Sequence, residues 1–330
     1  MPLIFTSIKA EWDTLDNLLS DLQRTDLVIS SPYIRSLQLR EPSSWGEWHK
    51  AEQLSRLFEQ CSGLNTVNIC ISGSSNWMKY LSNVASISHL KIKSAISNQQ
   101  GDSKGKLHLA SFDISHLSNF STLRTIELDG FNVRNEALIN GANNLSEKPT
   151  NNVSRLKLID CMWEYPFDIS DLCPIEDLNV IYTCPTGPFT YSERLKSLTQ
   201  SPPLTVKNLN LSLQGCSPQN QKAWLPLSYD KCDQLESLTL EGFSLPGSEF
   251  FQQLPSSLKR LNLNYSTTST RFDKSQFLSF IGSVSFGLSL QIYVKVILWN
   301  KDEDRIDEDF EFMTVNNEDY DLYCGGTINY

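Results

Sequence analysis

Histidine and cysteine side chains are the groups best able to act as bases, nucleophiles or metal ligands, and here they are scattered. The chain has four histidines and eight cysteines, none in the C-x-x-C pair that zinc sites use. Asp113 and His116 stand three residues apart, a spacing more typical of a contact at a helix start than of a catalytic dyad. The strings that mark serine hydrolases, phosphate-binding loops, zinc proteases and dinucleotide folds are missing. We therefore expect no enzyme, no metal and no cofactor.

A short pattern, apolar-x-x-apolar-x-apolar, recurs along the rest of the chain. Its nine copies have a mean spacing of 28 residues and begin at Ile34, Leu64, Ile87, Leu123, Val153, Ile175, Val206, Leu235 and Leu258. Residues 122–133 and 234–245 are near-duplicates that share the string L-x-x-[IL]-x-L-[DE]-G-F-x-[VL]. Self-similarity at a period of about 20–50 residues indicates a repeat architecture.

This pattern and its period predict an α/β fold, an irregular leucine-rich repeat solenoid (horseshoe) with a parallel concave sheet. Each L-x-L core predicts a short strand whose apolar residues point inward and whose intervening residues point outward. A single unit cannot bury its apolar side, so the units must stack and share one core. We expect an irregular curve because Phe131, Cys161 and Phe243 stand where regular repeats carry the asparagine of a ladder.

Both ends of the repeat region are predicted to carry caps. We expect a first strand at residues 3–8, a first helix at 12–22, further helices at 47–61 and 273–281, and a closing strand at 288–299. The solenoid with its caps thus takes residues 1–300. Residues 301–330 form an acidic C-terminal tail with ten acidic and two basic residues. Such a run favours a solvated tail, and a tail that folds back or binds a basic partner is the alternative.

The outward strand positions carry the residues that could recognise a partner. Charges alternate in sign from one predicted strand to the next in the N-terminal half. The predicted partner-binding residues on this concave face are His89, Lys91, Lys93, Glu127, Asp129, Arg155 and Lys157. The functional interpretation is a docking surface for a protein of mixed charge. The alternative is that these are solvated positions whose opposite charges pair with their neighbours.

The string P-Y-I-R-S-L-Q-L at residues 32–39 resembles the strand that opens the repeats of fungal F-box proteins with leucine-rich repeats. Residues 2–8 and 15–22 look like the short segment and leucine-rich helix that precede that strand. The resemblance implies the substrate-recognition part of an F-box-type ubiquitin-ligase receptor. The F-box itself, a helical module of about 45 residues, has no counterpart here, so we expect adaptor binding only if an F-box precedes this chain. The alternative is a stand-alone leucine-rich repeat scaffold or a GTPase-regulating repeat protein with no ubiquitin link.

Composition sets the expected surroundings of the chain. The net charge of −10 argues against bulk attraction to nucleic acid. The apolar stretch at 281–299 contains Gln291 and Lys295 and alternates like a strand, so we expect no membrane span. No export signal is evident at Met1, and the cysteines are expected to stay reduced in the cytoplasm or nucleus.

Overall fold

The computed structural model has an α/β fold dominated by parallel strands. It describes residues 6–11, 14–23, 33–40, 51–71, 86–94, 109–135, 152–163, 175–183, 205–214, 229, 232–243, 250, 253–267, 291–299 and 305–307. The chain divides into two compact units, Met1–Pro174 and Ile175–Tyr330. The predicted α/β class and the predicted parallel sheet are both confirmed.

The first unit is built on a row of parallel strands. The strands, in the order in which they pair, are β1 (Ser7–Glu11), β2 (Ser36–Arg40), β3 (Thr66–Ile71), β4 (His89–Ser94), β6 (Thr125–Asp129) and β8 (Arg155–Ile159). The central apolar residue of each repeat lies opposite that of the next, as Leu90 does with Val67 and with Ile126. One apolar row therefore crosses all the strands from Leu37 to Leu156.

Two helices cover part of the first unit. Helix α1 (Leu15–Gln23) buries Leu15 and Leu19, and helix α2 (Ala51–Gln60) buries residues at helical spacing, including Leu54 and Leu57. The two helices pack against each other. Both helices confirm the predictions at 12–22 and 47–61 over the residues that the structure describes, whereas the predicted helix at 273–281 lies outside those residues.

A second, small sheet in this unit was not predicted. It pairs β5 (Ala110–Asp113) with β7 (Phe131–Arg134) and β7 with β9 (Met162–Trp163), all parallel. Strand β7 follows β6 directly through Gly130, whose φ of 81° makes the turn, and Asp160, at φ 50°, does the same between β8 and β9. The rings of Phe112 and Phe131 pack edge to face, with centroids 5.6 Å apart.

The second unit is also built on a row of parallel strands, and these are longer than those of the first unit. Its parallel strands, in pairing order, are β10 (Asp177–Thr183), β11 (Asn208–Gln214), β12 (Ser237–Phe243), β13 (Arg260–Thr267) and β14 (Gln291–Trp299). Strand β14 confirms the predicted closing strand. A three-residue strand, β15 (Arg305–Asp307), pairs antiparallel with β14. Part of the tail that was predicted to be solvated is thus a strand.

The predicted repeat register holds in every copy. All 27 apolar residues of the nine patterns are buried, with exposures of 4% or less. Of the intervening strand residues that were predicted to face outward, only Ser212 is buried, and its hydroxyl donates to Glu241 Oε2 at 2.8 Å. Burial of one Leu or Ile side chain stabilises a fold by about 1.5–3 kcal/mol. The apolar rows are therefore the main source of stability in both units.

A backbone hydrogen bond recurs where each strand begins. One carbonyl of a repeat accepts two successive N–H groups of the next repeat, at 2.8–3.1 Å, eight times among the described residues. For example, Arg35 O accepts from Asn65 and Thr66, and Glu236 O accepts from Lys259 and Arg260. The chain thus enters each of these strands with the same local geometry.

Candidate functional site

The seven residues predicted to bind a partner lie on three neighbouring strands of the first unit. We call them the charged surface: His89, Lys91 and Lys93 on β4, Glu127 and Asp129 on β6, and Arg155 and Lys157 on β8. The parallel register sets them in rows across the strands. Lys91, Glu127 and Lys157 share one row, since Lys91 lies opposite Glu127 and Glu127 opposite Lys157.

Glu127 is the centre of the charged surface. Its Oε1 lies 2.5 Å from Lys91 Nζ, and its Oε2 lies 3.4 Å from Lys157 Nζ. The Glu127 side chain is only 18% exposed, whereas the two lysines are about twice as exposed. One carboxylate therefore holds two lysines from the strands on either side and neutralises part of their charge.

Asp129 forms a second, looser pair with Lys93. Their charged atoms are 3.6 Å apart, and the Lys93 side chain is 58% exposed. Burial raises the pKa of the Asp129 carboxyl, nearby Asp160 raises it further, and Lys93 opposes the rise. The ion pair offsets only part of the cost of placing this carboxylate in a partly buried position.

These pairs explain why the charges alternate in sign from strand to strand. Cross-strand neighbours of opposite charge stabilise a sheet, whatever else the surface does. The chain has brought the seven residues together, and the carboxylates are the more buried members. His89 and Arg155 are exposed beside them at the starts of β4 and β8. The surface presents four formal cations around two shielded carboxylates, so it can donate hydrogen bonds to acidic groups.

A second polar surface, on the second unit, was not singled out from the sequence. We call it the amide surface: Asn179 on β10, Asn208 and Asn210 on β11, and Asn262 and Asn264 on β13. Asn208 donates to Asp177 Oδ1 at 2.5 Å, and Asn262 donates to Thr239 Oγ1 at 3.0 Å. The N-x-N strings at 208–210 and 262–264 are the sequence signal that could have revealed it.

Three amides of the amide surface have an unmet acceptor. The Oδ1 atoms of Asn179, Asn210 and Asn264 are shielded from solvent and accept no hydrogen bond from the described residues. A buried acceptor without a donor costs about 1–3 kcal/mol. N–H or O–H donors of a bound partner would remove that cost if they reached these oxygens.

Three further residues that could do chemistry, Asp113, Cys61 and Cys161, lie outside the charged and amide surfaces. Asp113 caps the 3-10 helix Ile114–Asn119 by accepting from the N–H and hydroxyl of Ser115, at 3.0 and 2.7 Å. It does lie at a helix start, as its spacing from His116 indicated. Burial raises the pKa of the Cys61 thiol to about 11 and that of Cys161 to about 12. Thiols with such pKa values are poor nucleophiles.

In the part of the chain that the structure describes, no three His, Cys, Asp or Glu side chains gather as a metal site would require. None of the described helices has the length and apolar character needed to cross a membrane.

The chain matches no protein-family model and no curated protein sequence. The likeness of residues 32–39 to the opening strand of F-box repeat proteins therefore stays a prediction. In the structure these residues lead into β2, where Leu37 and Leu39 are buried.

Proposed function

We propose that this chain is a protein-recognition module, an irregular leucine-rich repeat solenoid whose parallel sheet presents the binding surface. The observation that carries the proposal is the recurrence of one local geometry. Each of eight strands begins with the same doubled backbone hydrogen bond, and each of nine pattern copies buries the same three positions. Repeat solenoids use the extended face that such strands create to bind other proteins.

The charged surface is the proposed docking site. Its three lysine side chains are 36–58% exposed, while Glu127 and Asp129 pair with them across β4, β6 and β8. Pre-positioned cations lose less conformational entropy when they bind than free lysines do. The arrangement fits a partner that presents acidic side chains, and opposite charges speed the encounter of such a pair.

The proposed biological role is substrate recognition in an F-box-type ubiquitin-ligase receptor, acting in the cytoplasm or nucleus. This part of the proposal rests on residues 32–39 and the segments before them. The alternative is a scaffold or GTPase-regulating repeat protein with no ubiquitin link. Transcripts that extend upstream of Met1 separate the two. An in-frame helical module rich in Leu-Pro favours the receptor, and an in-frame stop codon favours the alternative.

The docking site is tested by reversing two of its cations. The variant Lys91→Glu with Lys157→Glu places three acids in one row, so it should slow association with an acidic partner and weaken binding by tenfold or more (about 1.4 kcal/mol). The matched control is Lys207→Glu with Lys259→Glu. These lysines belong to the second unit, where they pair with Glu176 and Glu236 at 2.8 and 3.0 Å. Both variants make the same change in net charge, and each breaks two lysine–glutamate ion pairs.

The readout is the set of proteins that each tagged chain captures, followed by binding kinetics of the recovered partner at two salt concentrations. We expect the control to behave as wild type. The variant with Lys91→Glu and Lys157→Glu should no longer capture the partner. The affinity of the wild-type chain for that partner should fall as the salt concentration rises. Equal capture by a correctly folded reversal variant would exclude the charged surface as the site.

A further inference from the structure

The amide surface contains one uncharged row that crosses four neighbouring strands of the second unit. Asn179 on β10 lies opposite Asn210 on β11. Thr239 on β12 continues the row from Asn210 to Asn262 on β13. Because neighbouring strands are about 4.8 Å apart, the row is roughly 14 Å long, which is the length of about four extended residues.

Hydrogen bonds within the amide surface use its donors and leave acceptors over. Asn208 donates its Nδ2–H group to Asp177, and Asn262 donates in the same way to Thr239. The Oδ1 atoms of the other three asparagines accept nothing from the residues that the structure describes. A ligand on this surface therefore meets a set of acceptors.

Carboxylates flank these acceptors in the neighbouring rows. Asp177 lies opposite Asn208, and Glu241 lies opposite Asn264. Among the outward strand positions that the structure describes on β10 to β13, Arg260 is the one cation. Charge and hydrogen bonding therefore both favour a ligand that is cationic and carries many donors.

We infer that the amide surface binds a basic segment of a partner protein, with arginine side chains donating to Asn179, Asn210 and Asn264. A guanidinium carries five N–H donors in a planar fork and no acceptor, so it matches a surface whose unmet groups are acceptors. A peptide backbone brings as many acceptors as donors, and an acidic side chain brings acceptors alone. The inference goes beyond the proposed function, since it concerns the second unit and a segment of opposite charge to the ligand of the charged surface.

The three unmet oxygens are close enough to solvent for a ligand to reach them. Asn179, Asn210 and Asn264 are partly exposed as residues, although their Oδ1 atoms are shielded. The last torsion of an asparagine side chain has a broad preference, so a small rotation turns the oxygen outward. An unmet buried acceptor destabilises the free chain, and a bound donor removes that penalty. Such an amide opposes stability and favours binding, whereas a purely structural amide favours stability.

Asn210→Leu tests both consequences in the full-length chain, because it removes the unmet acceptor at nearly constant volume. The urea midpoint should rise. The affinity for a labelled peptide of alternating arginine and glycine should fall about tenfold, measured by fluorescence anisotropy at physiological salt. The matched control is Asn68→Leu, the same substitution at the middle outward position of β3 in the first unit. Its affinity for the peptide should equal that of wild type.

A peptide of alternating lysine and glycine separates arginine recognition from general attraction to the acidic chain. The acidic residues of 301–330 attract both peptides equally, and neither substitution changes the net charge. Wild type should bind the lysine peptide severalfold more weakly than the arginine peptide, and Asn210→Leu should remove most of that difference. A lower urea midpoint for Asn210→Leu, an unchanged affinity of that variant for the arginine peptide, or equal affinities of wild type for the two peptides would overturn the inference.

Discussion

Asp129 is a carboxylate whose partly buried position makes stability depend on pH. Burial raises its pKa, so the folded state binds this proton more tightly than the unfolded state. The resulting stability is fully present below the unfolded pKa of about 3.9 and is lost as pH rises through the raised folded value. Asp129→Asn should therefore increase the free energy of unfolding, relative to wild type, more at pH 7 than at pH 4. Urea titrations at both pH values measure this, and a larger relative gain at pH 4 would contradict it.

Gly242 marks a position where a side chain has no room. Its φ is 77°, and a Cβ built there would lie 2.1 Å from the carbonyl oxygen of Leu213 on β11. Gly242→Ala should destabilise the chain by more than about 2 kcal/mol, since a steric clash adds to the cost of a positive φ. Gly130, at φ 81° in the matching position of the near-duplicate repeat, is the comparison. Gly130→Ala should cost about 1–2 kcal/mol from its φ alone. Denaturant midpoints for both variants test the pair, and a harmless Gly242→Ala would contradict the β11–β12 geometry.

At the scale of a strand, the two sides of each repeat should respond differently to truncation. Leu156 and Leu238 are the central apolar residues of β8 and β12, and both are buried. Leu156→Ala or Leu238→Ala should cost about 2–5 kcal/mol through the cavity left behind. Lys157→Ala, the neighbour on the outward face, should cost about 0–1 kcal/mol because its ion pair with Glu127 is partly exposed. Equal losses at positions 156 and 157 in urea titrations would show that the register is wrong.

For the whole molecule, the net negative charge opposes binding to nucleic acid. The net charge is −10, and residues 301–330 supply −8 of it. We expect no measurable binding to duplex DNA at physiological salt, because nonspecific affinity depends on neutralising phosphates. Fluorescence anisotropy with a labelled duplex tests this. If the wild-type chain binds the duplex and the Lys91→Glu, Lys157→Glu variant does not, then the charged surface binds nucleic acid instead of protein.

The alternation of apolar and polar residues along each repeat was enough to predict which strand residues face the core. A strand that is buried on one side and exposed on the other imposes a sequence period of two. The 27 apolar positions that this period marks in the nine repeats are all buried. The same alternation predicted which residues form the charged surface. The sequence also predicted helices α1 and α2, because their apolar residues recur at helical spacing.

Which charges meet, and where the short strands form, depends on how strands pair in the folded chain. Glu127 contacts both Lys91 and Lys157 because β6 pairs with β4 on one side and with β8 on the other. The sequence of a single strand does not specify which strands lie beside it. The strands β5, β7 and β9 have four, four and two residues, too few for a period to emerge, so partners distant in sequence stabilise them. Strand β15 was missed for a related reason. Its three residues lie in a run of acids whose composition favours solvent, and pairing along the edge of β14 overrides that local preference.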